Sequence, residues 1–110
     1  MTHIPDTPQE IFAQMPAYFQ PEAAGNDQAR LQFDLSGEGG GTWSLEVADG
    51  QCLVHEGTVD NPDLTLRMTV SDFLAMIRGE LDSMKAVMSG KIGFKGNITL
   101  GLKLLKWFKY

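Results

Sequence analysis

Four short segments in the middle of the chain alternate apolar with polar residues, and this period of two restricts the possible folds most strongly. Side chains of a β-strand point alternately to its two faces, so each segment predicts a strand with one buried face. The inward residues are Leu31, Phe33 and Leu35; Trp43, Leu45 and Val47; part of 52–56; and Leu64, Leu66 and Met68.

The connections between these segments are short. Residues 36–41 are rich in glycine, Asp49-Gly50 is a tight-turn signal, and residues 60–63 read Asp-Asn-Pro-Asp. Short turns join antiparallel strands, whereas neighbouring parallel strands need longer crossovers. The spacing therefore predicts an antiparallel meander, and residues 92–96 predict a fifth strand.

Helical patterns flank the strands. Before them, Thr7, Pro8 and Glu10 occupy N-cap, first-turn and capping-box positions of a helix that Pro16 is expected to kink or end. After them, Thr69 or Ser71 is expected to cap a helix whose apolar side includes Phe73, Leu74, Ile77 and Leu81. Asp82 is expected to cap a short helix that ends at Gly90, with Met84, Val87 and Met88 facing inward.

The last predicted helix, residues 98–108, carries more apolar surface than one buried side needs. Its apolar residues cover an arc of roughly 220° at about 100° per residue, whereas a helix on a core needs a stripe only somewhat wider than about 100°. They are Ile98, Leu100, Leu102, Leu104, Leu105, Trp107 and Phe108. The second apolar side requires a bound apolar ligand, a membrane surface or another subunit.

Four methionines, Met68, Met76, Met84 and Met88, lie close together in the sequence. Flexible, polarizable side chains suit a pocket that accepts ligands of varied shape, and they also serve as ordinary core filler. The cluster is consistent with either role.

Charge is distributed unevenly along the chain. Residues 1–82 hold all 14 acidic residues and the three arginines, whereas residues 83–110 hold six lysines and no acid. The overall acidity argues against nucleic-acid binding. The basic, apolar end fits transient contact with an anionic membrane surface, or a solvated face that balances an acidic body.

Residues that carry chemistry are few. The two histidines are His3 and His55, the single cysteine is Cys52, and their spacing gives no nucleophile–base pair and no metal ligand set. We therefore expect no catalytic residues, no metal and no cofactor, with a thioester enzyme using His55 as the least favoured alternative. Gly90, Gly93 and Gly96 beside Lys91 and Lys95 indicate helix termination and close backbone approach, or a phosphate contact if the ligand were an acyl-CoA.

The chain has no run of about 18 apolar residues that would predict a membrane span. Residues 1–8 lack the charged-then-apolar order of a secretory signal. We expect a single domain over residues 1–110, located in the cytoplasm.

Several phrases resemble the sterol carrier protein type 2 domain family. They are residues 88–97 (Met-Ser-Gly-Lys-Ile-Gly-Phe-Lys-Gly-Asn), residues 61–66 followed by Asp72-Phe73-Leu74, Phe33-Asp34-Leu35 followed by Gly41-Thr42-Trp43, and the helix around residues 11–16. The resemblance implies an α+β fold: a five-stranded mixed, largely antiparallel sheet with helices packed on one face. It also implies an apolar tunnel that binds sterols, fatty acids, fatty acyl-CoAs or phospholipids without chemistry.

The sequence thus predicts a non-enzymatic module that binds, and can transfer, a lipid. The expected ligand contacts come from the sheet and from the later helices: Phe33, Leu45, Leu66, Phe73, Ile77, Met84, Met88, Leu100, Leu104, Leu105 and Phe108. The alternative is a homodimeric interaction module with a packed interior, in which the extra apolar side of the last helix forms the interface.

Overall fold

The alternating segments form strands of one sheet, and the helical patterns form helices before and after them. A computed structural model describes residues 7–108 and shows, within them, a five-stranded sheet in the order β3-β2-β1-β4-β5. The strands are β1 (Ala29–Ser36), β2 (Gly41–Ala48), β3 (Gln51–Glu56), β4 (Leu64–Thr69) and β5 (Gly93–Gly96). The helices are α1 (Pro8–Tyr18), α2 (Pro21–Ala24), α3 (Val70–Ile77), α4 (Ser83–Met88) and α5 (Thr99–Trp107).

The sheet is mixed, so the expected meander is right for β1–β3 and wrong for β4. β1 pairs antiparallel with β2, and β2 pairs antiparallel with β3, but β4 pairs parallel with β1 on its other side. The short connection between β3 and β4 predicts a hairpin. Residues 57–63 instead cross the sheet to the far side of β1, a distance well within the maximum reach of roughly 23 Å for seven residues.

Hydrogen bonds hold this crossing segment, residues 57–63, against the outer face of the sheet. The fully buried Ser44 donates its hydroxyl proton to the Gly57 carbonyl at 2.9 Å, and the Val59 N–H donates to Oε1 of Gln32 at 3.3 Å. Asp63 and Arg30 are joined at the end of the crossing, where the Arg30 N–H donates to Oδ2 of Asp63 at 2.9 Å. The segment thereby fixes β4 beside β1.

Side-chain caps begin three of the helices as the sequence predicts. Thr7 Oγ1 accepts from the Glu10 N–H, Thr69 Oγ1 accepts from the Asp72 N–H, and Asp82 Oδ1 accepts from the N–H groups of α4. Pro16 does not itself end the helix, since α1 continues two residues beyond it to Tyr18. Pro16 lies in the last turn, where losing one N–H donor removes little of the helix.

Phe12 of α1 lies at the centre of an aromatic cluster that joins the helix layer to the sheet. Its ring stacks on Trp43 with centroids 5.0 Å apart and on Phe73 of α3 at 5.3 Å, and it meets Phe33 edge-on at 5.3 Å. Phe33 and Trp43 are opposite one another on β1 and β2. α1 and α3 therefore pack on this face of the sheet. The five-stranded sheet and its helices confirm the predicted α+β class.

We expect Phe12→Ala to lower the free energy of unfolding by about 3–5 kcal/mol, because it leaves a cavity among three rings. Urea unfolding followed by tryptophan fluorescence measures the change. The matched control is Phe94→Ala in β5, where the ring is 43% exposed and the expected loss is about 1 kcal/mol. Equal losses in the two variants would contradict a central role for Phe12.

Gly96 allows β5 to end close to the turn before β4. Its φ is +106°, and a Cβ there would overlap the carbonyl oxygen of Asp63. That oxygen also accepts the Asn97 N–H at 2.9 Å, which closes the connection.

Gly96→Ala should therefore destabilise the fold by at least about 1 kcal/mol, through both backbone strain and the overlap. The comparison is Gly57→Ala, which has a similar φ of +107° but nothing within 4 Å of an added Cβ. Thermal unfolding should show the larger loss at residue 96, and an equal loss would mean that the overlap relaxes freely.

Candidate functional site

An apolar cleft lies between β4 and the helices α3, α4 and α5. It has a volume of about 170 Å³, and Ser83 is the one polar residue among the described residues that line it. The lining residues are Leu66, Met68, Met76, Ser83, Met84, Val87, Ile92, Ile98, Gly101, Leu102, Leu104 and Leu105.

Helical and strand periodicity bring these side chains to one place. Leu66 and Met68 alternate on β4 and face the helices. Ile98, Leu102 and Leu105 are spaced by four and three residues, so they form one stripe along α5. On the neighbouring side of that helix, Leu104 and Trp107 are buried. The predicted second apolar side of the last helix is confirmed, and it faces the cleft.

The wall of the cleft is open to solvent on the helix side. Met84, Ile98, Leu102 and Leu105 are between 37% and 55% exposed although all four are large and apolar. Covering such side chains with an apolar partner is favourable by roughly 25 cal/mol for each Å² of apolar surface removed from water. The site therefore has the chemistry to hold a hydrocarbon group and little that would orient a polar one.

The cleft as it stands is small. A dry engineered cavity of about 150 Å³ accommodates benzene, which sets the scale for a volume of 170 Å³. A full lipid chain therefore requires side chains to move or part of the chain to lie along the exposed stripe of α5. Met68, Met76 and Met84 all line the cleft, and their unbranched side chains move more readily than leucine or phenylalanine.

The structure brings four of the eleven predicted contact residues together in the cleft: Leu66, Met84, Leu104 and Leu105. Phe33, Leu45 and Phe73 are buried in the packed core, and Ile77 and Leu100 pack partly buried against that core. Phe108 lies against Phe19, with ring centroids 5.6 Å apart.

Met88 is placed differently from the prediction, because it is 84% exposed and does not face inward. Helix α4 has only six residues, so its periodicity defines the direction of each side chain poorly. Ala86 is the buried residue of this helix, and Val87 and Met84 line the cleft.

The remaining lining residues were missing from the predicted set: Met68, Met76, Ser83, Val87, Ile92, Ile98, Gly101 and Leu102. The spacing of Ile98, Leu102 and Leu105 was a usable signal, because it runs along one side of the helix. Gly101 was another signal, because glycine inside a helix lowers stability and therefore indicates a packing or functional requirement at that position. Here its missing side chain leaves room beside Ile98 and Leu64.

Reactive side chains lie outside the cleft. Cys52 is buried on β3, and burial raises the pKa of its thiol to about 11, which leaves it protonated and weakly nucleophilic at neutral pH. His55 is exposed on β3, facing away from Cys52 as the sequence predicts, and His3 lies outside the described residues. Within residues 7–108, no three His, Cys, Asp or Glu side chains are grouped to hold a metal ion.

The fold and the cleft together define an α+β domain with an apolar site between its sheet and its later helices. Residues 11–109 match the model of the SCP-2 sterol transfer family. The chain belongs to that family, which confirms the resemblance found in its sequence.

Individual relatives agree with this assignment. Hydroxysteroid dehydrogenase-like protein 2 from Mus musculus is 39% identical over 99 residues, which are 89% of this chain and 20% of the mouse protein. The chain thus spans about a fifth of the length of that relative. Palmitated SCP2L2 from Aedes aegypti superposes with a TM-score of 0.70 at 25% identity, covering 89% of this chain and 86% of the mosquito chain.

A third similarity concerns the fold alone. The stereoselective inverting sec-alkylsulfatase Pisa1 from Pseudomonas sp. contains a region that superposes with a TM-score of 0.81 at 17% identity. The match covers 94% of this chain and 17% of the sulfatase. The same architecture therefore occurs inside a much longer protein.

The described helices are all shorter than a bilayer-crossing segment, and none of them combines the length and apolarity that crossing a membrane needs.

We expect Gly101→Ala to stabilise the protein by about 1 kcal/mol, because alanine is the better helix former. The added Cβ would meet the Ile98 and Leu64 side chains at 3.7 Å, which is ordinary contact. Gly79→Ala is the control and should destabilise, since its φ is +78°. Urea midpoints test both, and a loss of stability in Gly101→Ala would show that α5 has no room for a methyl group.

Proposed function

We propose that this domain binds a lipid with an apolar chain in the cleft and carries it without altering it chemically. The observation that carries the proposal is the cleft itself, whose apolar wall remains partly exposed although the rest of the core is packed. The ligand class is that of fatty acids, fatty acyl-CoAs, sterol-like molecules and phospholipids. Membership of a sterol transfer family and similarity to a palmitated mosquito protein support it.

The proposed contacts are those that the cleft brings together. Leu66 and Leu104 form the inner wall, and Met84, Leu102 and Leu105 form the outer one. Of the remaining predicted residues, Phe33, Leu45 and Phe73 support the sheet and α3 from within the core, so they act on the cleft through packing. Burial of the ligand's hydrocarbon supplies the free energy of binding, less the cost of association.

We propose no chemical reaction of the ligand because of where the reactive side chains lie. Cys52 is buried away from the lining, His55 is on the outer side of the sheet, and Ser83 is the single hydroxyl in the described wall. Nucleophilic catalysis needs a base within hydrogen-bond reach of the nucleophile, and no hydrogen bond to Ser83 from such a base is present among the described residues. A bound lipid would therefore leave unchanged.

A homodimer built on α5 is the second candidate, because Leu102 and Leu105 are exposed side by side on that helix. Deleting α5 is a poor test, since Trp107 is buried and its loss would open the core. Light scattering of the full chain and of Leu102→Ser answers the question instead. A dimer that Leu102→Ser dissociates, in protein that takes up no fatty acid, would favour this alternative.

Gly101→Leu should weaken binding of a fluorescent fatty acid at least about tenfold, because the new side chain occupies the space that the ligand needs. Gly101→Ala is the matched control and should change the affinity by less than about threefold. Circular dichroism checks that both are folded. If Gly101→Leu is unfolded, Met84→Trp serves instead, since residue 84 is half exposed and a larger ring there covers the opening.

Folded Gly101→Leu and Met84→Trp that bind the fatty acid as well as wild type would place the ligand elsewhere. Native mass spectrometry of protein purified from cells, followed by organic extraction, should in turn identify the bound lipid.

A further inference from the structure

The two edge strands of the sheet differ in how well they are protected from pairing with another strand. β5 is one edge; it has four residues, begins and ends with glycine and carries Lys95. Short length and lysine are features by which natural proteins block pairing at a sheet edge. β3 is the other edge; it has six residues, with no lysine, no proline and no bulge. Its Leu53 side chain is 53% exposed and, among the described residues, is the one exposed large apolar side chain outside residues 84–105.

The hairpin between β2 and β3 fixes which backbone groups of β3 point outward. The turn at residues 49–50 has positive φ at both positions, the geometry that closes a two-residue hairpin with a hydrogen bond to Gln51. Hydrogen-bonded pairs then alternate along the two strands, and the Gly57 N–H continues the alternation by donating to the Thr42 carbonyl at 2.8 Å. Within the described part of the chain no strand lies on the other side of β3. The residues that direct their N–H and C=O groups to that open side are Cys52, Val54 and Glu56.

From this edge we infer that β3 pairs antiparallel with β3 of a second copy of the chain, which joins the two five-stranded sheets into one. A two-fold axis perpendicular to the sheet brings the same strand of both copies together, as a closed dimer requires. The inference stands apart from the proposed function, because β2 and β1 separate β3 from β4, the strand that lines the cleft. Both clefts of the dimer would remain open.

One register of this strand pair matches the side chains best. Leu53 points to the outer face of the sheet, opposite to the buried Cys52. When Leu53 faces Leu53 of the second copy, two exposed apolar side chains cover each other. Cys52 then exchanges backbone hydrogen bonds with Val54 of the second copy, and Gln51 faces His55. A shift by two residues, the smallest that keeps both the hydrogen bonds and the faces, places Leu53 opposite His55 or Gln51 instead.

The charges of β3 are compatible with this pairing. Glu56 is the one carboxylate of the strand, and in this register it lies opposite Gly50 of the second copy. Like charges directly opposite one another destabilise a strand pair, and none face each other here. The apolar contact, the hydrogen-bonding groups and the charges of β3 therefore all match β3 itself. This self-complementarity is what a two-fold interface needs, and it favours a second copy over a strand of a different protein.

Sedimentation equilibrium of the full chain tests the association, and wild type should show a monomer–dimer equilibrium. Leu53→Lys should raise the dimer dissociation constant at least about tenfold, because it removes the apolar contact and sets two ammonium groups opposite one another. His55→Lys is the matched control, since it adds the same charge to the same face of β3 but faces Gln51 of the second copy. It should change the constant by less than about threefold. Circular dichroism checks that both variants are folded.

Disulfide cross-linking tests the register and does not depend on the lysine variants. In a Cys52→Ala background, Leu53→Cys would place two thiols on facing residues about 4.5 Å apart at Cα, within the range that a disulfide spans. His55→Cys is the control, because residue 55 would lie four positions, roughly 13 Å, from its own copy. Oxidation should convert Leu53→Cys to a covalent dimer and leave His55→Cys monomeric on a non-reducing gel. Equal cross-linking of the two would overturn the inference.

Wild type that stays monomeric at every concentration, or Leu53→Lys that dimerises as well as His55→Lys, would also overturn the inference. A dimer that Leu102→Ser dissociates and Leu53→Lys does not would assign the contact to α5, with the same consequence. Binding of a fluorescent fatty acid should be equal for wild type and folded Leu53→Lys, since the cleft lies on the other side of the sheet. A dimer through β3 that takes up no fatty acid would overturn the proposed function alone.

Discussion

The stacking of Phe12 between Trp43 and Phe73 is the interaction on which the rest of the architecture depends. It holds α1 and α3 together over β1 and β2, where Phe33 completes the cluster. That half of the sheet is therefore covered by closely packed rings. Beside β4, side chains of α3, α4 and α5 line the cleft, and neither α4 nor α5 contains a phenylalanine. The cleft lies where the aromatic packing stops.

The open cleft has a cost that a ligand can offset. Empty volume in a core destabilises by roughly 24 cal/mol per Å³, which sets an upper limit of about 4 kcal/mol for a fully closed void of the volume found here. Gly101 adds to this cost, because an alanine would fit and would favour the helix. A ligand of the proposed class would fill this space and offset the cost. An occupant that binds only the folded state also stabilises it by mass action.

Local features of this fold could be predicted from the sequence, and long-range ones could not. Thr7, Thr69 and Asp82 cap their helices through neighbours only two or three residues away, so short motifs specify them. The parallel pairing of β1 with β4 depends instead on how residues 57–63 lie over Ser44 and Gln32, which no connection length reveals. Within the site, the period of α5 located its second apolar side. Alternation showed that Phe33 and Leu45 face the helices, but not which half of the sheet lies under the cleft. The spacing of Met84, Val87 and Met88 predicts that all three face inward, but a helix of six residues is too short for its periodicity to define its rotation.

The lining also limits how selective this site can be. Ser83 is the one polar residue among the described members of the wall, so the cleft offers almost no directed hydrogen bonds to a headgroup. Sites that reject analogues strongly do so by leaving buried polar groups unpaired, whereas one methylene in an apolar pocket changes binding by only about 1–3 kcal/mol. Flexible methionines weaken shape selection further. On the proposed function, discrimination among lipids would therefore come from chain length and bulk inside the cleft.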